Sequence, residues 1–200
     1  MEYLLGGYGR FREGAWPERR ALFERLAVQG QRPRAMVIAC SDSRVDPAMI
    51  FDAGPGELFV VRNVANLVPP YQPDGSHHGT SAALEFGVCN LGVQDLIVMG
   101  HGLCGGVQAL ISDAAPAGDF IGPWIHLAER ARPRVLACEA PDRQLGGEFA
   151  VVRISLENLG TFPWIASRVA AGSLRLHGAH FDVRSGVLAT LQPDGAFAPV

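Results

Sequence analysis

Cys40, Asp42 and Arg44 occupy alternate positions of Ala39-Cys40-Ser41-Asp42-Ser43-Arg44-Val45-Asp46. In an extended backbone alternate residues point the same way, so a thiol, a carboxylate and a guanidinium can share one face. Further on, Gly100-His101-Gly102-Leu103-Cys104-Gly105-Gly106 adds an imidazole and a second thiol. Val107, Leu110 and Ile111 follow at helical spacing, so Cys104 stands near a helix start, where the helix dipole favours a thiolate. Two cysteines and one histidine with no fourth soft ligand suit zinc in a catalytic site, with one position left for water.

These residues are positioned by what precedes them. Ala35-Met36-Val37-Ile38-Ala39 and Asp95-Leu96-Ile97-Val98-Met99 read as short buried strands. Ligands of open α/β sheets bind at the carboxyl ends of such strands. Two neighbouring parallel strands would bring Cys40, His101 and Cys104 together.

The pattern resembles the zinc-binding signature of the β-class carbonic anhydrases. Cys40-Ser41-Asp42-Ser43-Arg44 and His101-Gly102-Leu103-Cys104-Gly105-Gly106 carry it. The run Pro55 to Pro70, Ser155-Leu156-Glu157-Asn158-Leu159 and Leu174-Arg175-Leu176-His177-Gly178 are similar to other segments of that family. The likeness spans about Gln31 to Leu191 and is nearest the plant-like subgroup. It implies one zinc per chain and reversible hydration of carbon dioxide to bicarbonate and a proton, by a zinc-bound hydroxide. It implies an Asp42–Arg44 dyad, with Asp42 receiving a hydrogen bond from the reacting water and Arg44 holding it ionised. Gln31, Phe59, Val64 and Phe86 are the substrate-binding positions by similarity; Phe86 stands where relatives often carry tyrosine. In a closed form of the family, Asp42 itself ligates zinc. Met36-Val37-Ile38 lacks the tryptophan linked to that form, so an open, water-bearing site is expected. The alternatives are hydrolysis of a carbon dioxide analogue of the carbon disulfide type, or a non-catalytic zinc- or bicarbonate-responsive binding protein.

Charge refines the chemistry. Two thiolates cancel the metal's +2, so the ligated core is formally neutral and stabilises hydroxide less than a core of neutral ligands does. The rate is therefore expected to rise toward alkaline pH.

Two hundred residues fit one domain, and 48% hydrophobic with 18% charged residues is the composition of a packed globule. A net charge of -3 argues against nucleic acid or an anionic membrane as partner. The first residues lack the basic and apolar regions of a signal peptide, and no apolar run approaches a membrane span. With four cysteines and no disulfide scaffold, a cytoplasmic protein is expected.

A helix opens at Pro17 and stops at Gly30, with Leu22, Phe23, Leu26 and Ala27 on one face. Tyr8, Phe11 and Trp16 precede it, and residues 1–30 form a helical arm expected to pack on a partner subunit of a homodimer or higher even homo-oligomer. Pro47 to Phe51 reads as a helical turn, Glu57 to Val61 as a strand, and Asn63 to His78 as a loop whose His77-His78 pair is polar rather than metal-binding. Helices follow over Gly79 to Leu91, from Cys104 to Pro116, Phe120 to Arg130, Pro133 to Glu139, Asp142 to Leu159 and Pro163 to Gly172. Leu174 to His177 and Val187 to Leu191 pair antiparallel about Ser185-Gly186. Cys89 and Cys138 are assigned structural roles. The sum is an α/β fold: a mainly parallel sheet of about four strands with an antiparallel edge strand, flanked by helices.

Overall fold

The computed structural model describes residues 1–112, 118–139 and 142–200. Its centre is a six-stranded sheet in the order β2-β1-β3-β4-β5-β6. The strands are β1 (Ala35–Cys40), β2 (Leu58–Asn63), β3 (Asp95–His101), β4 (Arg175–Phe181), β5 (Leu188–Leu191) and β6 (Phe197–Pro199). The first four are parallel; β5 and β6 are antiparallel additions. β6 goes beyond the single antiparallel strand expected. It is three residues long, contains Pro199 and follows a tight Gln192–Ala196 turn, so it has neither the length nor the alternation that marks a strand.

Around the sheet lie α1 (Glu2–Glu13), α2 (Ala15–Gln29), α3 (Pro47–Ile50), α4 (Gly79–Glu85), α5 (Gly105–Ile111), α6 (Ile121–His126), α7 (Arg132–Leu136), α8 (Arg143–Leu159) and α9 (Pro163–Ala170). α4 continues into one wider turn over Phe86–Asn90. The predicted end of the Cys104 helix at Pro116 lies outside the described residues.

The two sheet faces are covered unequally. Met36 and Ile38 of β1 and Leu96 and Val98 of β3 pack on Leu84 of α4, Val152 and Leu159 of α8, and Phe162 and Ile165, all buried. Among the described residues, the alternate Val37, Ala39, Met99 and Ala179 form a smaller cluster with the partly buried Ile50, Leu58, Ile97 and Leu188. Strand alternation explains the division, since neighbouring side chains belong to opposite faces.

The N-terminal region is a pair of helices rather than one. Gly14 breaks the chain between them, and Pro17 falls inside the first turn of α2 instead of opening it. Neither helix buries a residue; Tyr3, Leu4, Leu5, Tyr8 and Val28 are exposed. Phe11 makes ring contacts with Tyr8, Trp16 and Phe23, holding the two helices to each other. No helix among the described residues is long and apolar enough to cross a membrane.

Candidate metal centre at the carboxyl ends of β1 and β3

β1 and β3 are hydrogen-bonded neighbours with Ala39 opposite Met99, so the chain leaves both strands side by side, at Cys40 and at His101. Cys104 returns three residues later as the N-cap of α5. Leu103 makes the sharp turn between them with φ 57, a left-handed conformation uncommon for a leucine. Gly106 lets α5 start close to the loop after β2: a Cβ there would lie 2.8 Å from the Ala65 Cβ. Val64, Ala65 and Asn66 form that loop, closed by Asn63, whose side chain accepts from the Leu67 N–H at 3.0 Å and donates to the Leu67 carbonyl at 2.8 Å.

The donor atoms of Cys40, His101 and Cys104 all lie within 4.8 Å of one another, and all three residues are buried. The two sulfurs are 4.0 Å apart and unbonded. Two thiolates on one tetrahedral zinc sit about 3.8 Å apart, whereas a disulfide needs about 2 Å. His101 Nδ1 donates to its neighbour's carbonyl, Gly102 O, at 2.9 Å, which leaves Nε2 with its lone pair. That Nε2 is buried and has no hydrogen-bond partner. An orphaned imidazole nitrogen facing two buried sulfurs fits zinc.

The electrostatics agree. The Cys40 thiol is drawn down to about 4, chiefly by the hydrogen bond from Cys104, while burial opposes. The same bond, reinforced by burial, pushes Cys104 up. This corrects the expectation that the helix start alone makes Cys104 the thiolate. The nearby amides of Val107 and Gly106 do pull its pKa down, but by less than the adjacent Cys40 sulfur raises it. Burial is the largest influence on His101 and lowers it, yet the adjacent Cys40 sulfur and the Gly102 carbonyl together leave it raised. A divalent cation among the three relieves every one of these conflicts.

Asp42 and Arg44 form a bidentate pair. Arg44 Nε donates to Oδ1 at 2.9 Å and Nη2 to Oδ2 at 2.7 Å, and the Arg44 amide adds a third bond to Oδ1 at 3.0 Å. The guanidinium hydrogen bond is the main reason the Asp42 carboxyl lies well below the usual carboxylate range. Arg44 Nη2 also donates to the Leu103 carbonyl at 3.1 Å, so one guanidinium ties the loop after β1 to the turn after β3. Sequence reasoning gave no role to Arg62, whose Nε donates to Cys40 O at 2.9 Å and whose Nη2 donates to Asp42 O. It sits on β2 opposite Ala39, where strand alternation signals only a polar edge residue.

The remaining expected positions divide. Val64 is beside the centre, its side chain near Gly106 and its carbonyl accepting from Trp124 Nε1 at 2.8 Å. Gln31 is at the opposite end of the sheet, grouped with Arg34 and Gln94 before β1 and β3 begin. Phe59 pairs in register with Met36 near the start of β1, and Phe86 packs on it with ring centroids 5.8 Å apart. At least about 17 Å of β1 separates Gln31 from Cys40, so this chain does not bring Gln31 to its own metal ligands. Of the two loop histidines, His78 pairs with Asp74 at 2.7 Å; neither belongs to a ligand cluster among the described residues.

Comparison with known proteins adds independent findings. A family model described as carbonic anhydrase matches residues 35–188. A carbonic anhydrase of Pseudomonas aeruginosa is 41% identical, the alignment covering 98% of this chain and 89% of that protein. The solved β-carbonic anhydrase CcaA superposes with a TM-score of 0.91 at 34% identity, covering 100% of this chain and 92% of the other. A tetrameric β-carbonic anhydrase from Sordaria macrospora gives 0.83 at 27% identity, with 98% of each chain covered.

Proposed function

The chain belongs to the β-class carbonic anhydrases, zinc enzymes that interconvert carbon dioxide with bicarbonate and a proton, and on that premise we propose what its own residues do in the reaction. Cys40 Sγ, Cys104 Sγ and His101 Nε2 hold the metal. Zinc, when bound, supplies a Lewis acid that acidifies water at the ligand position the three residues leave free.

Asp42 orients the reacting water. Its Oδ1 accepts twice from Arg44 and its Oδ2 once, which leaves Oδ2 acceptor capacity for a water O–H. A carboxyl held so far below neutrality is too weak a base to keep the proton, so Asp42 aims the water and the proton passes on to solvent buffer. Asp42 remains with Arg44 rather than joining the ligands: the site is the open form. The observation that carries this reading is the buried Cys40–His101–Cys104 cluster, with its unpartnered Nε2 next to an arginine-held carboxylate. Stopped-flow hydration of carbon dioxide by zinc-loaded protein tests it. Catalysis that rises toward alkaline pH is expected; no rate above buffer overturns it.

The unequal sheet faces support a second-copy role for residues 1–30. An arm without a buried residue and a sheet face lined by Val37, Leu58, Ile97 and Leu188 are complementary apolar surfaces. We take the 200 residues as one domain whose arm packs on a partner in a homodimer or higher even assembly. Gln31, Phe59 and Phe86 then serve substrate only if the partner chain presents them, since their own metal ligands are a strand length away. Four unpaired cysteines, two of them metal ligands, suit the cytoplasm. Sedimentation of the full chain against a chain lacking residues 1–30 tests the assembly. A full-length monomer overturns it.

A further inference from the structure

The mechanism leaves a buried polar cluster on α8 unused. Glu148 lies mid-helix and is 3% exposed, and His180 of β4 is equally buried. Glu148 Oε2 is 2.8 Å from His180 Nε2. Its other oxygen, Oε1, accepts from the backbone N–H of Cys104 at 3.2 Å and from Gln144 Nε2 at 2.7 Å. Gln144 Nε2 also donates to the Cys104 carbonyl at 3.1 Å. Both backbone polar groups of one metal ligand are therefore bound by side chains of α8.

A buried carboxyl is costly, and an apolar residue would fill a helix–sheet contact at less cost. The packing is nevertheless built to admit it. Gly100, directly before His101, lies opposite His180 in the strand register. A Cβ at Gly100 would lie 2.8 Å from Val152 Cγ2, so α8 is seated directly on the strand that ends in a metal ligand. The Phe149 ring stands edge-on to His180 at 5.1 Å and fixes its plane. The Cys104 amide is the link: its N–H goes to Glu148, so the orientation of the residue bearing Sγ depends on that carboxyl.

We propose that Glu148, clamped by His180 and Gln144, is a positioning residue that aims Cys104 at the metal and so sets how tightly zinc is held. The proposal rests on the reading that Cys40, His101 and Cys104 bind zinc. Partners one shell beyond a metal ligand typically carry about 10- to 100-fold in metal affinity. Glu148→Ala is expected to raise the zinc Kd by about that factor in competition with a chromophoric chelator. It should also shift the sulfur-to-cobalt absorption band of the cobalt(II)-substituted protein. Glu148→Gln keeps an acceptor for the Cys104 N–H and should restore both. A merely structural carboxyl would lower the melting temperature of the metal-free protein and leave affinity and band where they were, which overturns the proposal. Should Glu148→Ala not fold, the half-buried Gln144→Ala decides: a weaker zinc Kd supports the clamp, and an unchanged one overturns it. Wild-type protein that binds neither metal sinks the site reading and the clamp together. Wild-type binding with unmoved variants sinks the clamp alone.

Discussion

Two aspartate–arginine pairs stand at opposite ends of the same sheet, and as isolated geometry they are nearly indistinguishable. Asp42 receives Arg44 through Nε and Nη2 at 2.9 and 2.7 Å; Asp95 receives Arg175 through the same atoms at 2.7 and 2.7 Å. The carboxylate side chains are 20% and 22% exposed, and both carboxyls are held below their ordinary range, chiefly by the arginine. Each arginine–carboxylate unit has a further partner, the Leu103 carbonyl for Arg44 and His177 Nε2 for Asp95. What separates them is strand polarity. Asp42 follows the carboxyl end of β1, two residues after the ligand Cys40 and tied through Arg44 to the turn between His101 and Cys104; Asp95 begins β3 and joins it to β4. A perturbed carboxylate becomes functional through what its free lone pairs face, and a depressed pKa alone does not distinguish function from a surface tie.

The largest expected effect removes what Asp42 faces. Cys104→Ser takes away a soft ligand, and the protein should lose zinc on dialysis and fall to the buffer rate in stopped-flow hydration. Retained metal and turnover would show that the donor cluster is not the centre of the chemistry, and the contrast between the two ends would collapse. Next comes Asp42→Asn, which preserves shape and leaves the three ligands in place. Zinc content should stay at one per chain while turnover drops by about 100-fold or more, the range of a lost proton-orienting group. Arg44→Lys keeps the charge but gives up the fork and the tie to Leu103; a loss of roughly 10-fold is expected, since lysine is a point charge without bidentate geometry.

How far the sequence carries this contrast depends on distance along the chain. Cys40, Asp42 and Arg44 are legible because a strand exit with period two aligns them locally, and His101 and Cys104 because a strand-to-helix turn does the same. The sheet that joins those segments follows from two apolar runs. Glu148 is different: inside an amphipathic helix pattern a single acid reads as solvent-facing, and its contacts lie on Cys104 and His180, far away in sequence. His180 was invisible for a related reason, as the predicted strand stops at His177 whereas β4 continues to Phe181. Gln31 shows the opposite failure. Similarity assigns it a role at the substrate, but β1 runs away from it toward Cys40, and only the strand direction reveals that its own chain keeps it a strand length from the metal ligands. Arg62 hides because its contacts at the site are to the backbone carbonyls of Cys40 and Asp42, which no residue type signals, while its side-chain partner Asp46 reads only as a helix cap.

The smallest expected effect completes the comparison at the other end. Asp95→Asn should leave hydration within two-fold of wild type, because Asp95 and the ligand His101 lie at opposite ends of β3. Its cost falls on stability and is modest, since Arg175 is 60% exposed and solvent screens the pair; a Tm lower by no more than about 4 °C is expected. The sign of its pH dependence follows from the direction of the shift. The folded carboxyl is lowered to about 2, against about 3.9 for an aspartate in an unfolded chain. Its contribution is therefore fully present above pH ~4 and is lost as pH falls toward ~2. Thermal melts of wild type and Asp95→Asn, both in the metal-free form so that acid release of zinc does not enter, should differ most at pH 6 and by a smaller gap at pH 3. A gap that instead widened on acidification would mean that Asp95 is not the stabilised anion of this pair. A tenfold fall in turnover would mean that the two ends of the sheet are coupled and that strand polarity does not divide tie from chemistry.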